Sequence, residues 1–260
     1  MQPVSFGTSD RQLLGIYYPP EGEQPRDAAV LLCGPAPQEY MLTYWATRKL
    51  ATLLARHGFP VMRFDYFGTG DSAGETEEGR PRLWVEDVGA AARELLDVSG
   101  AYALSAVGLR LGASLAALAA SEGLDLEDLV LWEPVVQGSA YVDELRAIAA
   151  RKYSEFLFPP DQGPGSGQLL GYQFPGSVEE ETRGLDLLRT LPRARRRVVM
   201  AVSEERPLYL SLKARLEEEA ARGGPALSWR HEPEEASGSL DGALLSNTIL
   251  NAIASALEEA

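Results

Sequence analysis

Leu104-Ser105-Ala106-Val107-Gly108-Leu109-Arg110-Leu111-Gly112-Ala113-Ser114 is the stretch on which the fold turns. Leu104 to Leu109 is a mostly apolar run that reads as a strand. Ala113 to Ser121 is rich in small residues and reads as a helix. Only three residues join them, and Gly108 and Gly112 flank the join. That spacing predicts a sharp strand-to-helix turn with Arg110 at its apex, where a short chain path forces close backbone approach.

Working outward, the same alternation covers most of the chain. Upstream, Val4 to Phe6 and Leu13 to Tyr18 read as paired strands, and Ala28 to Cys33 as a strand buried on both faces. Leu42 to His57 reads as a helix ending at Gly58, Pro60 to Tyr66 as a strand, and Trp84 to Val98 as a helix. Downstream, Leu129 to Trp132, Val198 to Val202 and Ala226 to Arg230 are strands, while Leu208 to Arg222 and Leu244 to Leu257 are helices. An antiparallel pair followed by repeated strand-helix units predicts a mostly parallel central sheet with helices on both faces, an α/β fold. Residues 138–191 break the rhythm. A helical pattern from Tyr141 to Tyr153 leads into a Pro-, Gly- and Ser-rich stretch, the pattern of an inserted cap or lid. The expected organisation is a core of residues 1–137 and 192–260 with 138–191 inserted as the cap.

Composition narrows the function. The 260 residues carry 24 Lys plus Arg against 38 Asp plus Glu, a net charge of -14. That balance argues against nucleic acid or an anionic membrane as partner. The basic cluster Arg193, Arg195, Arg196 and Arg197 is short and reads as a solvated loop before a strand. The single cysteine, Cys33, leaves no intrachain disulfide and no cysteine-based metal set; no metal or cofactor is expected. No apolar run approaches the ~18 residues of a membrane span, and the N-terminus lacks a basic region followed by an apolar stretch. A cytoplasmic location is therefore expected. A homodimer remains open.

Ligands in such sheets bind just beyond the carboxyl ends of the strands, and the residues there carry a resemblance. Phe64-Asp65-Tyr66-Phe67-Gly68-Thr69-Gly70-Asp71-Ser72 resembles the D-x-x-G-x-G-x-S stretch of the α/β-hydrolase superfamily, with Asp65, Gly68, Gly70 and Ser72 matching. The resemblance covers nearly the whole chain and implies the α/β-hydrolase fold. It places Gly108-Leu109-Arg110-Leu111-Gly112 at the G-x-S-x-G nucleophile elbow, with Arg110 in the serine's position. A guanidinium stays protonated and cannot attack a carbonyl. The elbow is kept and its acyl-transfer chemistry is lost. GLRLGAS, with LVLWEPVVQG after it, also resembles bacterial hydrolase-like proteins encoded with exosortase and extracellular polysaccharide systems. In lacking the nucleophile the chain is similar to non-hydrolytic α/β-hydrolase-fold proteins of peptide natural-product pathways. One of these epimerises aspartate in a modified peptide.

The remaining site residues follow from the resemblance. Glu133, or Glu204 and Glu205, stand where the acid of a triad is expected. His231 is the candidate histidine, facing the pocket or lying on a surface strand; His57 reads as a helix-terminal residue. Leu111 supplies one oxyanion-hole amide, and Ala36, between Pro35 and Pro37, is the candidate for the other. Ser114, Cys33, Ser72 and Ser166 are weak substitutes for the nucleophile. Arg110, if buried, needs a carboxylate partner, with Glu133, Glu204 and Glu205 as candidates. It either plugs the old site or holds a ligand's carboxylate or phosphate. Tyr153, Phe156, Phe158, Tyr172 and Phe174 are candidates to line the pocket from the cap. The expected partner is a small carboxylated, acyl or peptide-like ligand. The expected chemistry is a non-hydrolytic step such as epimerisation, isomerisation or cyclisation. The alternatives are an esterase, thioesterase or peptidase working through a relocated nucleophile or an activated water, with Glu133 or Glu204 and His231 supplying the base, and a binding scaffold without chemistry.

Overall fold

In the computed structural model, residues 1–22, 25–154, 167–233 and 247–259 are described. Eight strands form one sheet: β1 (Gln2–Thr8), β2 (Arg11–Tyr18), β3 (Ala28–Cys33), β4 (Val61–Phe64), β5 (Ala103–Leu109), β6 (Asp128–Trp132), β9 (Arg197–Val202) and β10 (Ala226–His231). Their spatial order is β1-β2-β4-β3-β5-β6-β9-β10. β1 pairs antiparallel with β2 and β2 antiparallel with β4; every other pairing is parallel. β3, β5, β6 and β9 are apolar on both faces because helices cover both. α1 (Pro37–Arg56) and α7 (Asn247–Glu258) close one face. α2 (Pro81–Ser99), α3 (Leu111–Ser121) and α6 (Pro207–Ala221) close the other.

Five helices begin earlier than their sequence suggests, and three of them do so at a proline. α1, α2 and α6 start at Pro37, Pro81 and Pro207, each at the first helical turn. Proline at that position loses no intrahelical bond and has its φ preset for the helix. Reading Pro35 and Pro37 as loop residues delays α1 by five residues and leaves Glu39 outside it.

Between β6 and β9 the chain forms α4 (Gly138–Ser154), a hairpin of β7 (Gln168–Leu169) and β8 (Tyr172–Gln173), and α5 (Gly176–Gly184). The hairpin falls inside the Pro-, Gly- and Ser-rich stretch that reads as structureless, and α5 begins at its end. Both are too short for a periodic signal to stand out. The basic cluster is not a free solvated loop. Arg195 pairs with Asp125 and Glu127, and Arg196 and Arg197 pair with the buried Asp128 at the start of β6. Among the described residues no helix is long and apolar enough to cross a membrane.

Candidate functional site

The elbow is built by backbone constraint. Arg110 has φ 53° and ψ −118°, a conformation L-residues rarely adopt. It persists because the neighbouring strand end clamps it. The Arg110 amide donates to the Trp132 carbonyl at 3.0 Å, and the Arg110 carbonyl accepts from Ala113 and Val135. Gly108 and Gly112 are required by contact. A Cβ on Gly108 would lie 2.3 Å from Ala113 Cα, and one on Gly112 would lie 2.2 Å from the Gly34 carbonyl oxygen.

The Arg110 side chain is almost wholly enclosed; the residue is 4% exposed. Its Nε donates to Glu39 Oε1 at 2.9 Å and one terminal nitrogen, Nη2, donates to Glu144 Oε2 at 3.3 Å. The guanidinium lies 5.3 Å over the Tyr141 ring. Tyr141 in turn donates its hydroxyl to Glu39 Oε2 at 2.7 Å. Glu144 also accepts from Arg206 at 3.3 Å, and Arg206 reaches Glu204. Burial, the largest single effect, would weaken the charge on Arg110, but the combined attraction of Glu39, Tyr209, Tyr141 and Glu144 outweighs it. The guanidinium is held well above its ordinary pKa. Tyr141 is likewise raised, by burial first and then by the Glu39 charge.

The carboxylate partners are therefore Glu39 on α1 and Glu144 on α4, in place of Glu133, Glu204 or Glu205. Glu133, turned by a φ of 46°, points its carboxylate at the end of β9. It accepts from the Ser203 amide and hydroxyl and, at 3.0 Å, from the Tyr209 hydroxyl. Those three donors take up three of its roughly four acceptor positions. Burial, and then the Glu133 charge, raise the Tyr209 pKa. Glu204 is 67% exposed at its side chain and paired with Arg206; it lies on the surface side of the turn, as does the exposed Glu205. His231 ends β10, the edge strand, half-buried. Its ring makes no hydrogen bond to a carboxylate among the described residues. His57 bonds Glu258 at the far edge of α1.

Substitute nucleophiles fare no better. Ser114 is fully buried and donates to the Val135 carbonyl. Ser72 donates to the Asp65 carbonyl and accepts from the Leu14 amide. Burial pushes the Cys33 thiol up to about 12, far from the thiolate form. Ser166, Phe156 and Phe158 lie outside the described residues, as does the side chain of Tyr153.

Two cavities flank Tyr141. One, of about 290 Å³, lies between the loop after β6, α4 and the start of α6. Its floor is largely apolar, with Pro134, Val135, Ala140 and Leu208. Arg110, Glu144 and Arg206 supply its charge. The other is a narrow slot on the opposite side of Tyr141, lined by the sequence-derived oxyanion-hole pair Ala36 and Leu111 and by Phe174, just after β8. Tyr172 lines neither cavity. The hairpin turn at Leu170 and Gly171 brings Phe174 against the core instead. Among the described residues, no group of three His, Cys, Asp or Glu side chains could hold a metal.

Sequence reasoning missed Glu39, Glu144, Arg206 and Tyr209. Two signals were available. Pro37 marks the start of α1 and so places Glu39 in its first turn. Tyr141 and Glu144 stand three apart on α4, a spacing that puts both on one helix face.

No protein-family model and no curated protein sequence matches the chain. Solved structures do match over its whole length. Est1E from Butyrivibrio proteoclasticus, solved with ferulic acid bound, superposes with a TM-score of 0.64 at 14% identity, covering 98% of this chain and 96% of that one. A proline iminopeptidase from Mycobacterium smegmatis gives 0.63 at 14% identity, over 99% and 98% of the two chains. Mouse alpha/beta hydrolase domain-containing protein 10 gives 0.60 at 16% identity, over 100% and 98%. The chain has the α/β-hydrolase fold.

Proposed function

We propose that this α/β-hydrolase-fold chain is non-hydrolytic and binds a small carboxylated, acyl or peptide-like ligand over Arg110, with residues 138–191 as its cap. The observation that carries this reading is the condition of Arg110. Two of its nitrogens are pinned by Glu39 and Glu144, while Nη1 makes no hydrogen bond among the described residues and the side chain borders the 290 Å³ cavity. An oriented, unspent N–H facing an apolar chamber is a donor prepared for an incoming oxygen. The volume sits near the lower end of the ~300–1,000 Å³ typical of ligand sites. An open chamber also speaks against a scaffold whose pocket is plugged by its own side chains.

A carboxylate or carbonyl oxygen on Nη1 would place the rest of the ligand against Pro134, Val135 and Leu208. Glu144, already facing two arginines, would set its orientation. Charge developing on the held oxygen during an isomerisation or epimerisation would be stabilised by the guanidinium in a low-dielectric setting. Hydrolysis has no support among the described residues. No Ser, Thr or Cys pairs with a histidine there, and Glu133 is committed to Ser203 and Tyr209.

The test has two arms. A fluorophosphonate probe with intact-mass detection, run beside a p-nitrophenyl ester assay, should give no adduct and no turnover. A panel of small carboxylic acids and N-acyl amino acids should raise the Tm of the wild type and not of Arg110→Met. A single adduct mapped to a serine would replace this reading with a hydrolase. Equal stabilisation of both proteins would remove Arg110 as the anchor.

A further inference from the structure

The Arg110 cavity carries acceptors as well as a donor. Glu144, on α4, lines it with about one-third of its side chain exposed. Each of its oxygens accepts one described bond, Oε2 from Arg110 and Oε1 from Arg206, and both are 3.3 Å long. Close bonds between charged groups run to ~2.7–2.9 Å, and a carboxylate has roughly four acceptor positions, so Glu144 is held loosely and half used. Tyr209 also lines the cavity; its hydroxyl hydrogen is given to Glu133, so it offers only an acceptor. The charge balance points the same way. Arg110 and Arg206 are met by three carboxylates among the described residues, Glu39, Glu144 and Glu204. A bare carboxylate entering the cavity would add a fourth anion against two cations.

We infer that the cavity takes a free α-amino acid with an apolar side chain, its carboxylate on Arg110 and its ammonium on Glu144, which makes Glu144 the residue that sets specificity. This rests on the reading of Arg110 Nη1 as the anchor. The spacing follows from one planar group. Nη1, without a hydrogen bond among the described residues, and Nη2, which holds Glu144, are the two terminal nitrogens of the same guanidinium. Donor and acceptor are therefore neighbours, a separation that suits a ligand whose carboxylate and ammonium share one carbon. A zwitterion brings no net charge, so its ammonium offsets the anion that a simple acid would leave uncompensated in a partly enclosed site. An ammonium also has three N–H donors for Glu144 and Tyr209, whereas an acylated nitrogen keeps one and loses the charge. Pro134, Val135, Ala140 and Leu208 then face the side chain.

The experiment is isothermal titration calorimetry of the full-length chain with leucine, in both hands, and with isocaproate, which has the same carbon frame and lacks only the amine. Wild type should bind one hand of leucine about tenfold more tightly than isocaproate, the size expected from one hydrogen bond between charged groups. In Glu144→Gln that preference should disappear, while isocaproate binds at least as tightly as before because an anion has left the cavity. Isocaproate binding wild type as tightly as leucine would overturn the inference; loss of that binding in Arg110→Met would then leave Arg110 as the anchor of a simple acid. A leucine preference that survives Glu144→Gln would overturn it as well. So would failure of both ligands to bind wild type, with the carboxylic-acid panel on Arg110→Met deciding the anchoring role separately. The wild-type comparison needs no variant, so it decides even if Glu144→Gln does not fold.

Discussion

Replacing Arg110 by Met tests whether the centre of the elbow is held by the Arg110–Glu39 pair. Methionine keeps most of the apolar stem and removes the charge. Both partners are 5% exposed or less at their side chains, and the contact is 2.9 Å. Glu39 would then keep only the Tyr141 hydroxyl, at 2.7 Å, as a described donor to its carboxylate. Glu144, one-third exposed, can turn to water and loses little. Removing one member of a buried pair costs about 3–5 kcal/mol, chiefly through the charge left behind. At about 1.4 kcal/mol per factor of ten, the folding equilibrium would shift by roughly two to three and a half orders of magnitude. The check is urea denaturation at pH 7 for four proteins: wild type, Arg110→Met, Glu39→Gln and the double variant. Gln at 39 keeps an acceptor for Tyr141 while removing the charge. The double variant should lose less than the sum of the singles by about 2–3 kcal/mol, the coupling of residues in direct contact. An Arg110→Met cost below about 1 kcal/mol, or strict additivity, would refute the argument that this pair holds the site.

Other outcomes are expected. Arg110→Ser restores the G-x-S-x-G string, yet should show no ester turnover above background, because His231 carries no carboxylate partner among the described residues and Glu133 is bonded to Ser203 and Tyr209 instead; measurable burst kinetics would contradict that geometry. Gly112→Ala should prevent stable folding, since its Cβ would meet the Gly34 and Cys33 carbonyl oxygens at 2.2 and 2.3 Å; the readout is soluble yield and protease resistance. The Glu179 carboxyl is held below its ordinary range, first by a hydrogen bond from Arg146, against an opposing effect of burial. Its contribution is therefore present above its ordinary pKa of 4.5 and lost as pH falls through the lower folded value. The stability difference between wild type and Glu179→Gln should shrink across that acid window in denaturation curves taken from pH 6 downward, and a constant difference would count against the pairing.

Much of the architecture was legible from local pattern. Strands buried on both faces read as uninterrupted apolar runs, as in Ala28 to Cys33 and Val198 to Val202. Gly108 and Gly112 announced the elbow because only a residue without a Cβ tolerates those backbone contacts. Arg110 at its apex was legible for the same reason: the two glycines place it there. The partners of Arg110 were another matter. Glu39, Glu144 and Tyr141 come from helices far apart in sequence, and many carboxylates in so acidic a chain could have served. Which one meets the guanidinium depends on where α1 begins, how α4 leaves β6, and the strained turn that directs Glu133 toward Ser203 and Tyr209 instead. Pairing of buried charges is set by distances of a few ångström in the packed state, and no periodicity in the chain records those distances. Gln38 makes the same point from the other side. In the sequence it is one more polar residue after a proline, and only packing leaves it 7% exposed with its Oε1 buried and unpaired among the described residues.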